Sequence, residues 1–235
     1  MPDPTIESVT RIKFCGITTL EDAELAVAAG AWAIGLIFWP SSPRRAGFDA
    51  AAEIAAGVKR RVEVTGVFVN ATLDHVAETA DAVGLTMLQL HGDEGPAYCA
   101  EAARRSGARV IKAAQVSDVG DVRDIERFHV DFHLLDARSP RARSLRGGTG
   151  ESFDWELLRA RHSSVPLILS GGLNEHNVAA AIATAHPYAL DTASGTEAAP
   201  GRKDPRKLSA FFAAARAAAA PAPSERPGEA VSHPA

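Results

Sequence analysis

Short apolar, β-branched runs alternate with alanine-rich stretches of helical period along almost the whole chain, at intervals of roughly 20 to 30 residues. Eight runs predict strands, at residues 11–14, 32–38, 63–69, 87–90, 109–113, 132–135, 166–169 and 189–191, and a helical pattern follows each of them. A strict βα alternation requires parallel strands joined by helical crossovers. An open, doubly wound sheet would rarely need eight strands in so short a chain, and it usually carries a glycine-rich fingerprint after its first strand. No such fingerprint is present, so the pattern favours an α/β fold with a single closed (β/α)8 TIM barrel.

The length of 235 residues, 46% of them apolar, suits one barrel of this kind. We expect an N-terminal extension over residues 1–10, the barrel over residues 11–216, and an Ala/Pro-rich, disordered tail over residues 217–235. Residues 138–152 form a long polar loop after strand six, with Gly147-Gly148-Thr149-Gly150 near its end. Such a length in a compact domain is typical of a mobile functional loop.

The charge narrows the class of binding partner, and the cysteine content narrows the cellular compartment. The formal net charge is −4 and no extended basic patch is present, so we expect neither nucleic acid nor an anionic membrane as a partner. A small anionic metabolite held by a few local cations stays open. The two cysteines, the lack of a secretory signal and the lack of a long apolar run predict a reducing, cytoplasmic setting without disulfides.

Reactive side chains collect at the carboxyl ends of the predicted strands, where barrels of this class carry their active sites. They are Cys15 after strand one, Arg44 and Arg45 after strand two, Asn70 after strand three, His91 after strand four, Asp136 after strand six, Gly171 and Gly172 after strand seven, and Asp191 after strand eight. Because side chains alternate along a strand, Lys13 shares one face of strand one with Cys15. We therefore expect the functional site at this end of the barrel.

Two turns of small residues follow strands seven and eight. The first is Ser170-Gly171-Gly172-Leu173-Asn174, and the second contains Asp191, Ser194 and Gly195. Either turn alone is equally consistent with a plain tight turn. As an adjacent pair with unblocked main-chain N–H groups, they predict a phosphate-binding site.

Cys15 and Asp136 would flank this phosphate site, because strand one closes the ring against strand eight. A thiol and a carboxyl group on opposite sides of a phosphosugar suit the movement of a proton between neighbouring atoms. The sequence has no metal-ligand spacing and no dinucleotide motif, so we expect an isomerisation without metal or cofactor. Plainer interpretations stay open, with Cys15 as a small buried apolar residue and Asp136 as a solvated carboxylate or helix cap.

Several ordered motifs carry a resemblance to a known family. They are Lys13-Phe14-Cys15-Gly16-Ile17-Thr18, Gly66-Val67-Phe68-Val69-Asn70, Gln89-Leu90-His91-Gly92, Gly147-Gly148-Thr149-Gly150 with Phe153-Asp154-Trp155, Leu169-Ser170-Gly171-Gly172-Leu173, and Leu190-Asp191-Thr192-Ala193-Ser194-Gly195-Thr196-Glu197. On these motifs, from about Arg11 to Phe212, the chain resembles the phosphoribosylanthranilate isomerases of tryptophan biosynthesis. The last motif usually reads close to Asp-Val-Ser-Ser-Gly-Val-Glu, so Thr192, Ala193 and Thr196 are departures.

The resemblance implies an Amadori rearrangement of N-(5-phosphoribosyl)anthranilate to 1-(2-carboxyphenylamino)-1-deoxy-D-ribulose 5-phosphate. In that reaction Asp136 would be the general acid and Cys15, as a thiolate, the general base. Arg44 matches the position that pairs with the anthranilate carboxylate, whereas Arg45 is interpreted as a solvated neighbour. Substrate binding is further assigned to His91, Gly171, Gly172, Asp191, Ser194 and Gly195.

Some roles and alternatives stay open. Lys13 either favours the thiolate or forms a salt bridge in the barrel interior, and Cys99 is interpreted as a packing residue. Indole-glycerol-phosphate synthase, the next enzyme of the pathway, would need Lys and Glu as acid and base, whereas this chain offers Cys and Asp. A non-catalytic phosphosugar-binding barrel is the alternative from another class, since fold alone does not define function. A small-molecule phosphosugar–anthranilate substrate and a monomer or homodimer are expected.

Overall fold

The computed structural model describes residues 11–137 and 152–219, and within them eight parallel strands close into a barrel. The strands are β1 Arg11–Cys15, β2 Ala33–Ile37, β3 Glu63–Phe68, β4 Met87–Leu90, β5 Arg109–Val116, β6 Phe132–Ala137, β7 Leu167–Leu169 and β8 Ala189–Thr192. The ring is closed by β1, which pairs in parallel with both β2 and β8. The predicted (β/α)8 barrel is thereby confirmed, with all eight strands at their predicted places.

Helices surround the barrel. They are α1 Leu20–Ala28, α2 Phe48–Val58, α3 Leu73–Val83, α4 Pro96–Ser106, α5 Val119–Asp124, α6 Val178–Ala185 and α7 Pro205–Ala219. After β6, the described residues contain a 3-10 helix at Trp155–Ala160 instead of the expected α-helix. No helix in the described ranges is long and apolar enough to cross a membrane.

The predicted tail boundary at residue 217 falls inside α7, which continues to Ala219. Alanine has the highest helix propensity, so the run of alanines extends the last helix to Ala219, two residues before Pro221. The predicted N-terminal extension 1–10, the loop residues 138–151 with their four-residue glycine motif, and residues 220–235 lie outside the described residues.

The alternation of side chains along the strands separates two apolar layers. Ile12 and Phe14 face outward into the core beneath the helices, and the Phe14 ring meets Phe211 of α7 at 6.2 Å between centroids. A second cluster fills the lower barrel interior with Ala33, Met87, Ile111, Ala113, Phe132, Leu134, Ile168 and Ala189. Lys13 and Cys15 point inward instead, so the polar groups gather at the carboxyl ends of the strands, above an apolar floor.

A small antiparallel hairpin follows β8. Its strands are β9, Glu197–Ala199, and β10, Arg202–Lys203. Both of its long charged residues that face inward, Glu197 and Lys203, are buried. The hairpin therefore brings two charges to the edge of the barrel mouth.

Candidate active site

An open cavity lies at the carboxyl ends of the strands. Eight of the nine predicted site residues line it, namely Cys15, Arg44, His91, Asp136, Gly171, Gly172, Asp191 and Ser194. Gly195 does not line it. The structure thus brings together predicted site residues from six strand ends.

Cys15 ends β1 with its thiol inside the barrel and is 5% exposed. Its partner in the β1–β2 register is Gly35. A Cβ atom on Gly35 would lie 2.7 Å from Cys15 Sγ and 3.1 Å from Lys13 Nζ, so only glycine leaves room for both groups. A single glycine inside a strand is the signal that could have indicated this close approach.

Lys13 pairs with Asp191 on the neighbouring strand. Lys13 Nζ donates to Asp191 Oδ1 at 2.6 Å, and Ser170 Oγ donates to Asp191 Oδ2 at 3.0 Å. Burial favours the neutral amine, but Asp191 and Cys15 together outweigh it and hold the pKa of Lys13 above its usual value. Of the two interpretations of Lys13, the structure shows the salt bridge, and it places the same ammonium group beside Cys15.

The electrostatics of the thiol reflect two opposing effects. Burial raises the pKa of Cys15, and Lys13 lowers it, with a net result above the usual value. Lys13 therefore favours the thiolate, but it does not fully offset burial. Cys99, by contrast, lies outside the cavity in the core beneath α4, and burial raises its pKa to about 11.

Asp136 is the next-to-last residue of β6, lies across the cavity and is 4% exposed. Burial, reinforced by the negative charge of Asp191, raises the pKa of Asp136 to about 7. A carboxyl group with this pKa retains its proton in a large share of molecules at neutral pH. It can therefore donate a proton where an exposed aspartate could not.

His91 lies beside this carboxyl group, with Nε2 at 3.5 Å from Asp136 Oδ2. Burial lowers the pKa of His91 to about 4, so the ring is neutral at physiological pH. Gln89 Nε2 donates to His91 Nδ1 at 3.0 Å, which leaves the ring proton on Nε2. Within the described part of the chain, His91 Nε2 has no hydrogen-bond partner. An unused donor thus faces the cavity next to Asp136.

Arg44 reaches the cavity from the loop after β2, packed against Gly16. A Cβ atom on Gly16, which has a φ of +78°, would lie 2.8 Å from Arg44 Cδ, so this glycine is needed for conformation and for space. The guanidinium group is held by Glu197, with Nε 2.9 Å from Oε1 and Nη2 2.8 Å from Oε2. Arg45 is exposed, as its interpretation as a solvated neighbour requires.

The turns after β7 and β8 lie against each other. Gly171 and Gly172 have φ values of +95° and +62°, in the left-handed region that favours glycine. Among the described residues, the main-chain N–H groups of Gly171, Gly172 and Ala193 donate to no acceptor, so they are available to a ligand. Gly195 has another purpose: a Cβ atom there would collide with the carbonyl group of Leu173. Its lack of a side chain permits the two turns to pack together.

Two comparisons with known proteins identify the family of this chain. A family model for N-(5'-phosphoribosyl)anthranilate isomerase matches residues 12–214. The chain belongs to this family. The N-(5'-phosphoribosyl)anthranilate isomerase of Citrifermentans bemidjiense is 47% identical over 208 residues, which cover 88% of this chain and 98% of that protein.

Solved structures of this isomerase family share the barrel. A phosphoribosylanthranilate isomerase in complex with reduced 1-(o-carboxyphenylamino)-1-deoxyribulose 5-phosphate superposes with a TM-score of 0.75 at 36% identity, covering 88% of this chain and 99% of that one. Monomers made from the dimeric isomerase of Thermotoga maritima superpose with a TM-score of 0.75 at 35% identity, over the same shares of the two chains.

The departures from the usual isomerase motif after β8 are accommodated by hydrogen bonds. Thr192 Oγ1 donates to the carbonyl oxygen of Leu173 at 2.9 Å, and Thr196 Oγ1 donates to that of Ala193 at 3.1 Å. Both threonines are buried. Their hydroxyl groups bond to main-chain carbonyls, and the N–H group of Ala193 donates to no acceptor among the described residues.

Four contributors to this candidate site were not assigned from the sequence. They are Gly35, Gln89, Glu197 and Lys203. Gln89 and Glu197 stand in recognised motifs, but neither motif indicates the partner of the side chain. Lys203 carries no local signal at all, because its role depends on the hairpin that follows β8. No group of three or more His, Cys, Asp or Glu residues within the described ranges is arranged to hold a metal ion.

Proposed function

We propose that this protein converts N-(5'-phosphoribosyl)anthranilate to 1-(2-carboxyphenylamino)-1-deoxy-D-ribulose 5-phosphate, with Asp136 as the general acid and Cys15 as the general base. One observation carries the proposal: a buried thiol and a carboxyl group with a raised pKa face the same cavity from β1 and β6. Membership of the isomerase family, and the reduced product bound to another family member, support the choice of substrate.

Ring opening is the first step. The neutral carboxyl group of Asp136 gives its proton to the furanose ring oxygen as the bond from that oxygen to C1 breaks. The nitrogen lone pair forms the C1–N double bond of a protonated Schiff base. Asp136 is left as a carboxylate, and the Nε2–H of His91 is 3.5 Å away to stabilise the new charge or to hold a sugar hydroxyl.

Proton removal from C2 is the second step. The Cys15 thiolate takes this proton, and the electron pair moves into the C1–C2 bond to neutralise the Schiff base nitrogen, which gives an enolamine. Return of a proton to C1, with loss of the enol proton to Asp136, yields the ketone and restores both groups. The Lys13 ammonium beside the thiol stabilises the thiolate that this step needs.

Gly172→Val is expected to weaken binding of the reduced product by about tenfold to a hundredfold, since a main-chain N–H to a phosphate oxygen is worth roughly 1.5 to 3 kcal/mol. Valine does not tolerate the left-handed conformation and would turn the N–H away. Gly84→Val is the matched control, because Gly84 has a φ of +76° at the end of α3, far from the cavity. Calorimetric titration measures both, and equal affinities in the two variants would contradict the phosphate site.

Arg44→Met is expected to raise KM by about tenfold to a hundredfold with a smaller effect on kcat, because a lost charge pair with the anthranilate carboxylate weakens ground-state binding. Steady-state kinetics measure the effect. Arg45→Met is the matched control, since Arg45 is the exposed neighbour. If neither variant raises KM, another cation holds the carboxylate.

The activity itself is tested with freshly generated phosphoribosylanthranilate, by following the loss of anthranilate fluorescence. Added indole-glycerol-phosphate synthase should then form its downstream product. A non-catalytic binding barrel would leave the fluorescence decay unchanged from the spontaneous rate. A synthase would form the downstream product from the ketose without the added enzyme.

We further propose a cytoplasmic enzyme that is either a monomer or a homodimer. Both cysteines are free thiols, as a reducing compartment allows. The family includes the dimeric isomerase of Thermotoga maritima. Light scattering coupled to size-exclusion chromatography distinguishes the two states.

A further inference from the structure

The guanidinium group of Arg44 is held on one edge only. Glu197 accepts from Nε and Nη2, and the two side chains are 11% and 4% exposed. Nη1 donates to no residue in the described ranges. A bidentate pair of this kind fixes the plane of the guanidinium group as well as its position. One edge of the fork is thus anchored, and the other stays available at the wall of the cavity.

A second cation shares the same carboxylate. Lys203 Nζ lies 3.5 Å from Glu197 Oε1, and it donates to the carbonyl oxygens of Cys15 at 2.8 Å and Ala193 at 3.0 Å. Within the described part of the chain, neither Arg44 nor Lys203 contacts another carboxylate with its charged group. Burial lowers the pKa of Lys203 and the Glu197 carboxylate opposes this effect, so one carboxylate supports both cations.

The hairpin of β9 and β10 carries both charges, and it contacts both sides of the reacting centre. Lys203 holds the end of β1 that bears the thiol, as well as the turn after β8. Glu197 holds the loop after β2 that bears Arg44. One short element therefore sets the position of Arg44 relative to Cys15 and to the turn of the phosphate site.

We infer that Glu197 is a positioning residue for the substrate carboxylate: it holds Arg44 so that the free edge of the guanidinium group faces the ligand, while Lys203 balances the negative charge of Glu197. This inference rests on the proposed role of Arg44. Glu197 does not touch the ligand in this account. It acts by fixing a side chain that would otherwise lose rotational freedom on binding.

The direction in which Glu197→Gln changes the affinity for the carboxylate distinguishes positioning from a plain effect of charge. Glu197→Gln removes a negative charge close to a bound carboxylate, so electrostatics alone would strengthen binding of the carboxylate. Positioning requires the opposite, because the amide nitrogen of Gln cannot accept from the guanidinium group and the fork is released. Glu197→Asp keeps the charge but shortens the side chain, so it breaks the bidentate geometry without a change in charge.

The experiment compares two ligands, the reduced product and the same molecule with an unsubstituted phenyl ring. Calorimetry on the full chain gives Kd for each ligand. The ratio of the two Kd values is the preference for the carboxylated ligand. We expect Glu197→Gln and Glu197→Asp to lower this preference by about three- to tenfold, with a change of less than about twofold for the phenyl ligand. KM for the substrate should rise by a larger factor than kcat falls, and the double variant with Arg44→Met should be no worse than Arg44→Met alone.

Thermal melts establish whether each variant is folded. If Glu197→Gln does not fold, the preference measured for Glu197→Asp tests the inference. An unchanged or increased preference in the folded variants overturns the inference, provided that Arg44→Met has lost the preference. If Arg44→Met keeps the preference, the proposed role of Arg44 fails instead, which is a different result. Equal losses for both ligands would show that Glu197 only supports the fold, and they would also overturn the inference.

Discussion

Asp136→Asn is expected to lower kcat by about a hundredfold to ten-thousandfold, the usual effect of removing a positioned general acid. The amide has nearly the same shape as the carboxyl group, so β6 and the cavity should keep their structure. It has no acidic proton to give to the ring oxygen. The fluorescence assay measures the loss, and Asp81→Asn on the exposed face of α3 is the matched control.

The pH dependence provides a second measurement on the same variant. The active form needs a protonated Asp136 and a Cys15 thiolate, whose pKa lies above its usual value. As the pH rises toward about 7, the thiolate fraction grows and kcat/KM increases. Above about 7, the protonated fraction of Asp136 falls by the same factor by which the thiolate fraction of Cys15 rises, so kcat/KM should level off. In Asp136→Asn, the residual activity should continue to rise through pH 7.

The stability of the variant should change in the opposite direction to its activity. A carboxyl group whose pKa is raised on folding stabilises the protein only while protonated, so its contribution is lost as the pH rises toward about 7. Ionising Asp136 in its buried site should cost up to about 4 kcal/mol by this linkage. Asp136→Asn should therefore gain stability relative to the wild type between pH 5 and pH 8, as denaturant titrations measure. In the fluorescence assay, a wild-type kcat for Asp136→Asn would exclude Asp136 as the general acid.

Cys15→Ala is expected to reduce kcat by at least about a hundredfold, because no other group beside the C2 position supplies a base from β1. The neighbouring Lys13 stays paired with Asp191 and is protonated, so it cannot replace the thiolate. The site should otherwise remain intact, since alanine removes only the Sγ atom that packs against Gly35. Single-turnover measurements with the labile substrate quantify the loss.

Cys99→Ala is the matched control for this thiol. Cys99 is 1% exposed in the core beneath α4, so its removal should leave kcat close to the wild-type value and lower the free energy of unfolding by roughly 1 kcal/mol. If the Cys15 and Cys99 variants turned over equally fast, Cys15 would have no part in the mechanism.

The sequence by itself determined the barrel, and it predicted the rim at which the candidate active site lies. The alternation of strand and helix patterns required parallel strands, and the period of two put Lys13 and Cys15 on the same face of β1. Parallel strands in one barrel place all their carboxyl ends at the same rim, so residues far apart in the chain could be assigned to one site. Helix ends were less well determined, since α7 continues past the predicted boundary into the alanine run.

Only the tertiary structure decided how these residues act on one another. The pair of Lys13 and Asp191 joins positions 178 apart in the chain, and the pair of Arg44 and Glu197 joins positions 153 apart. No local pattern of residues specifies such pairs, because they depend on the closure of the ring and on a hairpin outside it. The raised pKa of Asp136 likewise follows from burial and from the nearby Asp191, which exist only in the folded barrel.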